Sequence, residues 1–119
     1  MNTKHSINKG ISEHGMWKQR IVKAIESGKS EWTPSIVRQD NQCEFGKWLY
    51  SCTEQEKNSP HYQTVKELHA KFHTTAAGVL ELALTGNKSE ASKAIGSGSD
   101  YKSISVSLTG EMMKWKKTL

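Results

Sequence analysis

Long apolar runs are missing from this 119-residue chain. A helix that crosses a bilayer needs about 20 consecutive apolar residues; no segment comes near that, so membrane insertion is not expected. Met1 to Gly10 also lack the apolar stretch of a secretory signal. Together these absences predict a cytoplasmic protein. Cysteine is scarce: Cys43 and Cys52 form no CxxC pair, and in a reducing compartment no disulfide between them is expected. Arginine is scarce as well, and no aromatics interleave with it as on a single-strand-binding platform. Lysine and arginine total 17 against 12 acids, a formal charge of +5, but only Lys114, Lys116 and Lys117 cluster. The charge therefore reads as a solvated surface, with no nucleic-acid partner expected. Strand-like alternation and hairpin dipeptides do not occur. The 34% of hydrophobic residues suffices for a modest core in one domain, residues 1–119.

What is present is helical punctuation. Pro34 and Pro60 each follow a hydroxyl residue, Thr33 and Ser59, the cap-then-proline pattern of a helix start. Asn41 with Glu44 and Asn87 with Glu90 fit a capping box with Asn in place of Ser or Thr. Gly28 and Gly86 sit where helices should stop. A first helix is expected from about Thr3 to Ser27, with Ile7, Ile11, Ile21 and Ile25 on one narrow stripe and His14 at its centre. A helical turn follows Pro34, and a short helix near Gln42 carries Phe45, Trp48 and Leu49. A long helix is expected from Pro60 to Thr85 and another from Lys88 to near Leu119. The last is read as continuous through Gly96-Ser97-Gly98-Ser99, because the apolar period from Ala94 to Tyr101 persists with Ser97 on the stripe. The expected fold class is all-α: a four-helix bundle with an additional short helical segment carrying the cysteine.

His69-Ala70-Lys71-Phe72-His73 places two imidazoles one turn apart on a helix face, where they can share a metal ion. Zinc proteases use the same spacing but need a glutamate after the first histidine as general base. Ala70 occupies that position, so no enzyme is expected. The spacing alone is weak; its surroundings carry more weight. His69 lies on the core stripe with Val65, Ala76 and Leu80, His73 borders it, and His14 faces inward from the first helix. Buried polar rings need partners, so the alternatives are a shared metal or separate hydrogen bonds to backbone and water. His5 lies nine residues from His14, about half a turn away in phase, and should face solvent. His61 lies about 12 Å along the axis from His69 and should be a surface or cap residue. Cys43, in the first turn of the short helix, completes a set of three imidazoles and a thiolate, and the amides there should favour that thiolate. Cys52 competes for the role but reads as a small buried hydrophobe.

These residues resemble the CZB family, the chemoreceptor zinc-binding domains of bacteria. His14-Gly15-Met16-Trp17-Lys18 is similar to its H-x-x-W-K motif. Cys43-Glu44-Phe45-Gly46-Lys47-Trp48-Leu49 is similar to C-x-F-G-x-W-L, and His69 to His73 to H-x-x-F-H. The resemblance runs over nearly the whole chain. It implies a Zn2+ cofactor on His14, Cys43, His69 and His73, and a helical bundle that is commonly a homodimer. It further implies a regulatory role for a chemoreceptor or diguanylate cyclase partner, with zinc level or oxidants such as hypochlorous acid as input. Phe45, Gly46 and Trp48 read as core and turn residues. No methyl-accepting coiled coil or cyclase domain is present, so the chain either stands alone or is a piece of something longer. The alternative function is a permanent zinc staple in an interaction module.

Overall fold

A computed structural model describes residues 3–119. Seven helices follow in order: α1 (Thr3–Ser27), α2 (Pro34–Val37), α3 (Glu44–Tyr50), α4 (Glu54–Lys57), α5 (Pro60–Leu84), α6 (Lys88–Ala94) and α7 (Asp100–Lys117). No strand occurs among the described residues. The all-α expectation holds. Helix α5 is the central element and packs against α7, α1, α2 and α6. Its buried face carries Val65, Phe72, Ala76 and Leu80, which meet Ile7 and Ile21 of α1 and Leu108 and Met112 of α7 in one core.

Local chemistry explains most boundaries. The Thr33 and Ser59 hydroxyls accept from the amides of Ile36 and His61, with proline at the start of α2 and α5. Gly28 and Gly86 take positive φ of 72° and 83° just past the ends of α1 and α5, a conformation that costs glycine little. Neither expected asparagine box forms. Asn87 makes no side-chain cap, and Cys43 takes the capping position that Asn41 was expected to hold. A box forms instead at Thr53 and Glu56, opening α4, a turn the sequence reading did not resolve.

One expected helix is divided. Between α6 and α7 the chain turns at Gly98, with φ of 81°, and the Ser99 hydroxyl caps the amide of Lys102. Two interior glycines would each cost a continuous helix about 1 kcal/mol, whereas the break supplies a left-handed glycine and a serine cap. Ile95 reaches the core, while Ser97, expected on the buried stripe, is exposed.

Two glycines bring the short helices in close. A methyl group at Gly10 of α1 would run into the Phe45 ring and Met112. One at Gly46 would overlap the backbone carbonyl of Asp40, which belongs to the loop before α3. The first contact seats α3 against α1 and α7, and the second folds the preceding loop onto α3.

Candidate metal centre

Two long helices supply three rings. His69 and His73, one turn apart on α5, are 0% and 2% exposed, and His14 of α1 is 4% exposed. Cys43 comes from the other side, as the N-cap of α3, and is partly buried. Its sulfur lies 3.3 Å from Nε2 of His69 and 3.5 Å from Nε2 of His73, and those two nitrogens are 3.1 Å apart. The ligand atoms of all four residues fall within 4.8 Å of one another, the one such grouping of three or more metal-binding side chains among the described residues.

Hydrogen bonds fix what two of the rings present. Nδ1 of His73 donates to the Val37 carbonyl at 2.9 Å, and Nδ1 of His14 donates to the Gly10 carbonyl at 2.7 Å. A carbonyl only accepts, so each Nδ1 bears the proton and each Nε2 turns a lone pair inward. This is how metal-binding histidines are generally oriented from behind. Burial, first of all, keeps all three rings neutral. It lowers His14 to about 4 and His69 to about 2, with the neighbouring rings adding to the effect, and it lowers His73 as well. Phe45 and Phe72 stand edge-on to the His14 ring and keep the pocket wall apolar.

The arrangement fits zinc. A tetrahedral ion with ordinary bond lengths separates its nitrogens by about 3.3 Å and nitrogen from sulfur by about 3.6 Å, close to the three spacings above. Hydrogen bonding alone does not satisfy the group. A proton on His69 Nε2 can link it to His73, but the buried Nε2 of His14 has no partner. An unpaired buried nitrogen costs about 1–3 kcal/mol, and a cation at the centre removes that cost. His69 Nδ1 also lacks a protein partner.

Cys43 departs from expectation in one respect. It caps α3 and does not sit within its first turn, and the Gly46 amide donates to Sγ at 3.3 Å. The helix-start amides do favour the thiolate, but burial outweighs them and pushes the thiol up. A metal must therefore displace a proton from this sulfur. Cys52 is buried outside the cluster, where its thiol donates to the Trp48 carbonyl. His5 is exposed, and His61 lies 3.8 Å from Glu111, so neither joins the centre. Gly10 and Val37 escaped the sequence reading because they orient the rings through backbone carbonyls, which no side-chain pattern reveals.

The family model of the chemoreceptor zinc-binding domain, CZB, matches residues 14–80, a little over half of the chain. The chain belongs to the CZB family. The match is shorter than the near-complete resemblance expected, yet it begins on His14 and spans Cys43, His69 and His73. This CZB domain is accordingly a zinc-binding domain. No curated protein and no solved structure gives a significant match to it. No described helix is long and apolar enough to cross a membrane.

Proposed function

We propose that His14, Cys43, His69 and His73 are the zinc ligands and that the domain is a cytoplasmic regulatory sensor, not an enzyme. The observation that carries this reading is the unequal support of the four ligand atoms. Three nitrogens are built into long helices, while the sulfur sits at the tip of a seven-residue helix reached through an irregular loop. Loss of the sulfur contact frees that loop and leaves the helical frame standing.

Bound zinc would hold Cys43 as a thiolate at neutral pH and so keep it nucleophilic. Hypochlorous acid is one oxidant the site would answer. The thiolate sulfur attacks chlorine and hydroxide departs; water then displaces chloride from sulfur. Sulfur loses two electrons, chlorine gains two, and the products are a sulfenic acid and chloride. A sulfenic acid is a poorer metal ligand, and the α3 segment relaxes. The changed surface would act on a chemoreceptor or diguanylate cyclase, with the domain working as a homodimer. With four protein ligands no coordination position remains for a substrate water, and Ala70 supplies no base.

A permanent staple is the second reading, favoured by the near-complete burial of the three rings. Titration with a chelator, followed by circular dichroism and zinc analysis, separates the two. A sensor gives up zinc while staying helical; a staple keeps its zinc until the helices melt. Retention of the metal up to the unfolding point would overturn the sensor.

A further inference from the structure

The metal centre is sealed on three sides and open on one. The three histidines are almost wholly buried, whereas Cys43 retains surface. That surface faces a cavity of about 280 Å³ reached by Cys43, His14 and His73 but not by His69. Trp17, Arg20 and Trp32 form one wall. The Arg20 guanidinium lies 4.8 Å from the Trp17 ring centre and 4.5 Å from that of Trp32, which themselves meet at 5.5 Å. The stacking fixes the cation in place. It forms no ion pair among the described residues, so its donors are not taken up by a carboxylate. Glu44, also on the cavity, is bound to Lys9 at 2.5 Å, and Glu13 is the other acid there.

We infer that this cavity is the port through which small oxyanions reach the Cys43 sulfur, with Arg20 selecting for negative charge and Glu13 opposing it. The inference rests on the sensor reading and adds to it the route and the selectivity. Its volume falls below that of sites for drug-sized ligands, roughly 300–1,000 Å³, so it admits reagents of a few atoms. A fixed cation on a partly apolar cavity wall attracts anions and raises their rate of arrival.

The test compares an anionic with a neutral oxidant on the zinc-loaded chain: peroxymonosulfate and hydrogen peroxide. In the first case the thiolate takes the outer peroxide oxygen with its proton, the O–O bond breaks, and sulfate leaves with the electron pair. In the second, hydroxide leaves. Both give the two-electron-oxidised sulfenic acid. Zinc release is followed with a colorimetric chelator and Cys43 oxidation by mass spectrometry, at low salt. Arg20→Gln should slow the peroxymonosulfate reaction roughly three- to tenfold and Glu13→Gln should speed it by a similar factor. Arg20→Lys should stay near the wild-type rate, and peroxide rates should be unchanged in all three. Equal changes with both oxidants, or no change with peroxymonosulfate, would overturn the port. If Arg20→Gln fails to load zinc, Glu13→Gln decides, and an unchanged rate there refutes the proposal. A wild-type chain that neither oxidant attacks at Cys43 refutes oxidant sensing itself, an outcome distinct from oxidation that ignores Arg20 and Glu13.

Discussion

The two halves of the metal centre are held by different forces. On one side, His69, His73 and His14 project from two 25-residue helices whose buried faces share a core with α7. Their positions are fixed by the packing that holds the bundle together. On the other side, Cys43 stands at the mouth of a short segment that reaches the core through Val37, Phe45 and Leu49 and is otherwise held by a handful of contacts. The Tyr50 hydroxyl donates to the Asp40 carboxylate, Tyr62 of α5 donates to the Leu49 carbonyl at 2.9 Å, and Phe45 fills the space above Gly10. Stability is seldom uniform across a fold, and segments with few buried contacts open first. A metal joining the halves therefore gives most of its ordering to the second, because the first is already ordered.

The largest expected effect comes from removing the bridge. Cys43→Ser should weaken zinc binding by more than the roughly 10–100-fold that outer-shell changes cost, whereas Cys52→Ser should leave metal content unchanged; equilibrium dialysis with elemental analysis compares them. Zinc removal from the wild-type chain should raise amide exchange across residues 34–51 and leave the centre of α5 protected. Uniform deprotection of both would mean the halves are one cooperative unit.

Next is the close approach that seats the cysteine. Gly46→Ala forces the Asp40 carbonyl and α3 apart and should destabilise by about 1–3 kcal/mol, with zinc affinity lowered as Cys43 moves. Denaturant unfolding of loaded and metal-free protein measures both effects. A change confined to stability would show that the sulfur tolerates displacement.

The histidine half has its own signature in acid. In metal-free protein, burial holds His14 at about 4, below its ordinary value near 6.5. The unfolded chain then takes up protons first as pH falls, so the neutral-ring contribution is complete above about pH 6.5 and lost towards pH 4. His69 and His73 shift in the same direction. The unfolding midpoint should fall across that window, and His14→Gln should flatten the profile.

The smallest effect is expected at the turn between α6 and α7, which supplies none of the clustered side chains. Gly98→Ala places a side chain on a residue at positive φ and should cost about 1 kcal/mol, with zinc affinity unchanged. A stabilising outcome would mean that α6 and α7 can fuse into one helix.

The starts of α2 and α5, the ends of α1 and α5, and the residues that cluster at the centre were legible in linear order. Thr33-Pro34, Ser59-Pro60, Gly28 and Gly86 act through their own backbone and nearest neighbours, and the i, i+4 spacing of His69 and His73 fixes their shared face without reference to the rest of the chain. The break at Gly98 was not legible, because apolar period favours a continuous helix while burial of Ile95 favours a turn, and the choice depends on what packs there. The same holds for the acidity of Cys43, where local amides and tertiary burial act in opposite directions and burial prevails. The Gly10 and Val37 carbonyls that orient His14 and His73, and the opening beside Arg20, likewise come from folding alone. Local geometry is written residue by residue; desolvation and the meeting of distant backbone groups arise only when the helices come together.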